Sequence, residues 1–200
     1  METFQAFARP WWVNLLVIVP VAAYFLWRRR GLDLTLRKKL IIAAFALAFG
    51  FAEAAVVVYL RAAAGLLPGY NGGTLAEVRR LSAANHQALL LTQFPTSLLN
   101  VEVLREAATM VMLVSIALLA APKARERWAA FLWAFAIWEL AYYAGLWATL
   151  GWPASLKEID ILFLIPVPWV AQVWYPLLVS ALTLLAVSMA KKTVSTPADY

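Results

Sequence analysis

The sequence has no cysteine, only one histidine, and few charged residues, which make up 14% of it. Without cysteine the chain has no disulfides, no thiolate metal sites and no thiol nucleophiles. Soluble domains are typically about 25% charged and about 45–50% apolar, whereas this 200-residue chain is 64% hydrophobic. The composition therefore predicts an integral membrane protein that contacts the lipid bilayer.

Long apolar stretches predict five transmembrane helices. A spanning helix needs about 20 mostly apolar residues, and the stretches that qualify are 11–27, 40–62, 103–121, 128–150 and 161–188. We expect an all-α bundle of five spans that forms one domain over residues 1–200. The last stretch contains Pro166, Pro168 and Pro176. Because proline removes a helical hydrogen bond, this stretch could begin as an extended or re-entrant piece buried against protein.

Lysine and arginine predict the orientation of the bundle. The net charge is +6, and most basic residues fall in alternate connections and at the C-terminus. They are Arg28, Arg29, Arg30, Arg37, Lys38, Lys39, Lys123, Arg125, Arg127, Lys191 and Lys192. By the positive-inside rule this side is cytoplasmic, so the N-terminus lies outside and the C-terminus inside. The rule also accounts for the basic excess, and we expect no nucleic-acid partner.

The one long connection, between the second and third spans, lies outside in this topology. Its segment "TLAEVRRLSAANHQALLL", residues 74–91, places Leu75, Val78 and Leu81 at helical spacing. This pattern predicts an amphipathic helix on the outer surface of the bundle.

Three acids fall inside apolar stretches: Glu53, Glu106 and Glu139. Ionisable residues within spans are costly, usually face the bundle interior and by default mark function. At about 1.5 Å per residue, the three acids form a series through the outer half of the membrane. We take them as the main candidate site residues, together with His86. The secondary candidates, near the outer boundary or close to the acids, are Glu102, Arg105, Arg61, Asp160, Tyr142 and Tyr143.

A metal site is the leading interpretation of these acids. Bundle-core carboxylates with histidine hold di-iron and di-manganese centres, and the expected ion is iron, manganese, copper or zinc, with redox or hydrolytic chemistry. Glu102 and Glu106 are spaced i, i+4 and share one helix face, as bridging ligands require. However, dinuclear carboxylate sites usually use two Glu-x-x-His pairs, and this chain has a single histidine.

Two other interpretations stay open. The acids could line a water-filled cavity that passes protons or ions in an oligomer, with Tyr142 and Tyr143 one turn beyond Glu139. Alternatively, the chain is an accessory subunit of a larger, respiratory-type membrane complex, and its charges form contacts between subunits. In a purely structural interpretation, Arg105 and Arg61 neutralise Glu102, Glu106 or Asp160 as interfacial ion pairs, and Asp160 is a helix N-cap. We expect Glu102 and Arg105 at the outer interface and Glu106 pointing inward toward Glu53 and Glu139.

The segment "LGWPASLKEIDILFLIPVPW", residues 150–169, resembles a segment of an uncharacterised family of small bacterial integral membrane proteins. Members of that family show a GWP-x-SL turn followed by a DILFLIPVPW run. The similarity extends weakly to "REAATMVML" and "FAIWELAYY". The resemblance implies a location in the bacterial cytoplasmic membrane and a shared structural feature at Asp160, Pro166, Pro168 and Trp169. It implies no activity.

Overall fold

The structure, a computed structural model, describes residues 4–63, 71–84 and 96–191 and is 72% helical. A 3-10 helix, Trp11–Val17, leads directly into the first α-helix. The α-helices are α1 (Ile18–Arg30), α2 (Leu36–Ala63), α3 (Leu75–Ala84), α4 (Thr96–Ala120), α5 (Ala124–Leu150) and α6 (Trp174–Ser188). Two strands, β1 (Ile159–Phe163) and β2 (Trp169–Gln172), lie between α5 and α6.

Within the described residues, four helical segments are long and apolar enough to cross a membrane: Trp11–Arg30, Leu36–Tyr59, Thr96–Ala120 and Ala124–Leu150. They occupy the first four predicted spans. A helix satisfies its own backbone hydrogen bonds, which is what an apolar environment demands. Large apolar side chains such as Leu40, Phe51, Leu104 and Leu119 are exposed on the outside of the bundle. This surface is suited to lipid.

Helices α2 and α5 pack closely because small residues face each other. A Cβ atom added at Gly50 would lie 2.5 Å from the carbonyl oxygen of Trp138, and one added at Gly145 would lie 2.8 Å from the Cβ of Ala54. Small residues allow helix backbones to approach in this way. The contact brings the α2 and α5 faces that carry Glu53 and Glu139 next to each other.

The stretch 161–188 is not one continuous helix: it begins as an extended piece, as its prolines indicated, and the chain is mostly helical with a small two-stranded sheet rather than all-α. Strands β1 and β2 form an antiparallel hairpin in which Ile159 pairs with Gln172 and Ile161 with Val170. Pro166 and Pro168, in the connection between the strands, have no N–H group to donate within a helix. The helix begins only at Trp174, where Pro176 falls in the first turn, a position that tolerates proline.

The hairpin lies against the interior of the bundle. Its Phe163 ring stacks on Phe135 of α5, with centroids 6.1 Å apart. The outer edge of β2 is paired by the N-terminal segment, because Arg9 N donates to Val170 O at 2.8 Å and Val170 N donates to Arg9 O at 2.7 Å. Non-helical backbone is tolerated at membrane depth only where protein satisfies its polar groups in this way.

The bundle has two chemically different ends. The end where α1 meets α2 and α4 meets α5, here called the basic end, uses its cations to cover carbonyl groups. Arg125 Nη1 donates to Arg30 O at 3.0 Å, and Lys39 Nζ donates to Val187 O at 3.1 Å. The opposite end carries the β1–β2 hairpin and is called the hairpin end.

Helix α3 covers part of the hairpin end. Val78 and Leu81 are buried in a cluster with Leu146 and Leu150 of α5, and Arg79 donates to the carbonyl of Ala148 at 3.0 Å. The predicted amphipathic helix over 74–91 is thus helical from Leu75 to Ala84. Residues 85–91, which include His86, lie outside the described residues.

Candidate functional site

A small cavity of about 40 Å³ lies among α2, α4, α5 and β1. We call it the polar cavity because most of its lining is charged or hydroxylated. Its polar lining residues are Glu53, Arg105, Glu106, Thr109, Glu139, Tyr142, Tyr143 and Asp160. At about 10–15 Å³ per water, the space holds roughly three water molecules.

The guanidinium group of Arg105 joins two carboxylates on different helices. Arg105 Nε and Nη2 donate to Glu102 Oε2 at 3.0 and 2.8 Å, while Arg105 Nη1 donates to Glu53 Oε2 on α2. The predicted pairing of Glu102 with Arg105 is confirmed, and Arg105 also joins this pair to Glu53, one of the deep acids. Glu102 is only 8% exposed, and the long Arg105 side chain reaches inward from α4 to the neighbouring helix.

Thr109 completes the surroundings of Glu53. Its hydroxyl contacts Glu53 Oε1 and also lies 3.1 Å from the carbonyl oxygen of Arg105. Since a hydroxyl has one proton, it donates either to Glu53 or to the Arg105 carbonyl oxygen at any one time. When it donates to Glu53, both carboxylate oxygens of Glu53 have a donor, one from Thr109 and one from Arg105. Sequence reasoning missed Thr109, although its position one turn beyond Arg105 places it on the same face of α4.

Glu106 and Asp160 connect the hairpin to the helices. Leu164 N donates to Glu106 Oε2 at 2.8 Å, and the Tyr143 hydroxyl donates to Asp160 Oδ2, also at 2.8 Å. Asp160 lies in β1, opposite Ala171, so the prediction of a helix N-cap is wrong. The two acids hold the hairpin against α4 and α5.

Glu139 differs from the other acids of the polar cavity. The residue is 6% exposed, and its carboxyl group makes no hydrogen bond or ion pair with any residue in the described part of the chain. The indole Nε1 of Trp138, which also lines the cavity, is buried and has no partner among residues 4–63, 71–84 and 96–191. Buried polar groups are normally hydrogen-bonded. These two groups are therefore positioned to bind water or a ligand.

The cavity and its surroundings contain more acid than base. Glu53, Glu102, Glu106, Glu139 and Asp160 are all less than 9% exposed. Arg105 is the single cation among the described residues that line the cavity. Glu53 and Glu102 pair with Arg105, Glu106 accepts from Leu164 N, and Asp160 accepts from the Tyr143 hydroxyl. Glu139 has no such contact among the described residues. Since an isolated buried charge costs many kcal/mol, a proton or a bound cation is favoured at Glu139.

The structure brings most of the predicted site residues together. Glu53, Glu106 and Glu139 line one cavity, and so do the secondary candidates Arg105, Asp160, Tyr142 and Tyr143. Glu102 joins them through Arg105. His86 and the side chain of Arg61 lie outside the described residues.

The predicted metal ion has no ligand set in the portions of the chain described above. No group of three or more histidine, aspartate and glutamate residues there is arranged to hold a metal ion. Arg105 also occupies the position between Glu53 and Glu102 that a bridging cation would need.

No protein-family model, curated protein or solved structure matches this chain. The residues around the polar cavity are therefore the basis for assigning a function.

Proposed function

We propose that this chain is an integral membrane protein that binds and exchanges protons in the polar cavity, with Glu139 as the proton carrier. The observation that carries this proposal is that Glu139, which is 6% exposed and lines the polar cavity, makes no hydrogen bond or ion pair within the described chain. Desolvation favours the neutral form of a carboxyl group. A proton on Glu139 removes the charge that the surroundings do not neutralise.

The neighbouring groups supply a path for that proton. Asp160 lines the same cavity and is held by the Tyr143 hydroxyl. Water in the roughly 40 Å³ space can bridge carboxyl groups that do not touch, since bridging water hydrogen bonds are nearly as favourable as direct ones. Glu53 is committed to Arg105 and Thr109. Glu139 is therefore the acid that takes up and releases the proton, with water in the cavity as its partner.

The proposal includes a placement in the bacterial cytoplasmic membrane. The basic end faces the cytoplasm, and the hairpin end, with the N-terminus, faces outward. Glu139 lies about 22 Å along α5 from Ala124, in the outer half of a hydrocarbon core about 30 Å thick. Helix α6, with 15 residues, provides the fifth crossing together with the hairpin that precedes it.

Infrared difference spectroscopy of the protein in lipid nanodiscs tests the proton site. The protonated Glu139 carboxyl group is expected to give a carbonyl band that changes with pH and is absent in Glu139→Gln. The matched control is Glu126→Gln, which removes another buried acid, at the basic end, that pairs with Arg125. It should keep the band. Identical spectra for wild type and Glu139→Gln would contradict the proposal.

Elemental analysis of the same preparation tests the metal alternative. If the wild type contains about one iron, manganese, copper or zinc ion per chain and Glu139→Gln has lost it, the site binds a metal ion rather than a proton. The roles as an accessory subunit or as an oligomer stay predictions. Light scattering and affinity purification in detergent test them.

A further inference from the structure

A large cavity, separate from the polar cavity, lies between α1, α4, α5, α6 and the hairpin. Its volume is about 530 Å³, within the range of about 300–1,000 Å³ that is typical of small-molecule sites. Among the described residues, no charged side chain lines it, and its only hydroxyl groups are those of Ser180 and Thr183. We call it the apolar cavity. Aromatic rings form much of its lining: Trp128, Phe131, Phe135, Phe163 and Trp169.

A further cavity of about 360 Å³ lies between α4 and α5 near the basic end, and we call it the basic-end cavity. Trp128 lines both cavities, so the two spaces adjoin at its ring. Along α4, Ala107 and Met110 line the apolar cavity, and Val114 and Ala117 line the basic-end cavity. These four residues follow one helix face at helical spacing. The two cavities therefore form one groove, the α4–α5 groove.

The α4–α5 groove is open at the surface of the bundle that is suited to lipid. Val114, Leu118 and Trp128 line it and are 43%, 50% and 46% exposed. From Ala107 to Leu118 the groove extends about 17 Å along α4, which is about half of a hydrocarbon core roughly 30 Å thick. The groove thus has the length of one bilayer leaflet, the leaflet at the basic end.

Arg127 gives this groove a positive charge at the basic end. It is the single charged side chain among the described residues that line the two cavities. Its Nε donates to Ala121 O at 2.8 Å, and none of the ion pairs within the described chain includes it. The Nη1 and Nη2 donors are therefore available, and a guanidinium fork matches the geometry of phosphate. Lys123, one turn earlier and exposed, adds to the positive charge.

We propose that the α4–α5 groove binds an anionic phospholipid from the leaflet at the basic end. Its phosphate lies at Arg127, and one acyl chain lies in the basic-end and apolar cavities. Such a lipid combines an apolar chain of leaflet length with a negative charge at one end, which matches the groove. Basic pockets between transmembrane helices on the cytoplasmic side bind anionic lipid head groups in this way. The site does not depend on proton exchange at Glu139.

Two phospholipids with the same chains test the role of the charge. Native mass spectrometry of the delipidated protein in detergent should show one dioleoylphosphatidylglycerol per chain, bound roughly fivefold or more tightly than dioleoylphosphatidylcholine, as expected for one arginine near the phosphate. Arg127→Gln should remove this preference. Arg29→Gln removes an exposed arginine that lines neither cavity and should keep it. Equal affinities for the two lipids in wild type, or equal losses in the two variants, would overturn the assignment of the head group.

Two adjacent alanines of α4 give a matched pair of variants for the acyl chain. Ala107 lines the apolar cavity, whereas Ala108 is exposed and lines neither cavity. Ala107→Phe should therefore weaken binding of dioleoylphosphatidylglycerol, and Ala108→Phe should retain it. Equal binding by the two variants would overturn the site. A wild-type dimer that Ala107→Phe dissociates would show that a second copy of the chain covers the groove, and would also overturn it.

Fluorescence quenching locates the acyl chain without a substitution in its path. Phosphatidylglycerol with brominated chains, added as a minor component to phosphatidylcholine nanodiscs, should quench the tryptophan emission of the wild type. Trp128→Phe should lose a larger share of this quenching than Trp147→Phe, which removes a 63% exposed tryptophan at the hairpin end of α5. Equal shares would show that the lipid covers the whole surface of the bundle without a preferred site, and would overturn the inference.

Discussion

The two arginine–carboxylate groups at opposite ends of the bundle invite comparison. Arg105 pairs with Glu53 and Glu102 near the hairpin end, and Arg125 pairs with Glu126 at the basic end. The arginine side chains are similarly exposed, at 22% and 26%. In both groups a partly exposed arginine neutralises buried acid.

The groups differ in their balance of charge. Arg125 forms an ion pair with a single acid, Glu126. Glu126 also lies in the first turn of α5, where the helix dipole favours negative charge. Arg105 forms ion pairs with Glu53 and Glu102. Three further acids, Glu106, Glu139 and Asp160, line the same cavity as Arg105. The Arg125 pair is therefore balanced in charge, whereas the described residues around Arg105 include an acid, Glu139, that has no such partner among them.

The largest expected effect is the loss of Arg105. Arg105→Ala leaves Glu53 and Glu102 buried without a cation and should lower the free energy of unfolding by about 3–5 kcal/mol. Arg125→Ala should cost only about 1 kcal/mol, because Glu126 keeps the favourable N-terminus of α5. Unfolding by denaturing detergent in mixed micelles measures both. Equal losses would remove the distinction between the two ends.

Glu106→Leu should have the next largest effect. It removes the acceptor of the Leu164 N–H group and leaves that donor unsatisfied, at a cost of about 2–3 kcal/mol. Glu106→Gln is the control, because its amide oxygen can still accept from Leu164 N. The same unfolding measurement should show a smaller loss for Gln than for Leu. The reverse order would show that Glu106 does not hold the hairpin.

Removing the Tyr143 hydroxyl should have a moderate effect. Tyr143→Phe deletes the hydrogen bond to Asp160 and should cost about 1–2 kcal/mol. Tyr24→Phe, which removes a hydroxyl that contacts Arg28 on α1, should change stability less, because that contact is exposed. No loss in Tyr143→Phe would mean that Asp160 is held by other contacts.

The smallest effect on stability is expected at Glu139. Since its carboxyl group has no partner in the described chain, Glu139→Leu should change the free energy of unfolding by less than about 1 kcal/mol or increase it. Glu126→Leu breaks the Arg125 pair and should be more damaging. If the order is reversed, Glu139 is a structural residue, and the proposed proton site loses its support.

Much of the candidate site could be anticipated from the sequence, because a charge within an apolar run is conspicuous. Glu53, Glu106 and Glu139 stand out in this way and do line one cavity. Asp160 was placed in the wrong element because the apolar run after it resembles a helix. Short apolar runs do not distinguish a buried strand from a buried helix by periodicity. Trp138 gave no signal, since tryptophan is common in apolar helices. Thr109 was indicated only by its position one turn beyond Arg105.

The sequence by itself determined the long apolar helices, the contrast between a basic end and an acid-rich half, and the identity of the deep acids. These follow from length, hydropathy and charge, which are properties of each segment alone. Only the tertiary structure decided that Arg105 reaches Glu53, that the hairpin lies against α5, and that Glu139 lines the polar cavity. Those outcomes depend on how closely α2 and α5 approach at Gly50 and Gly145. They also depend on the hairpin, which packs against α5. Neither the helix approach nor the hairpin packing can be read from one segment of the sequence alone.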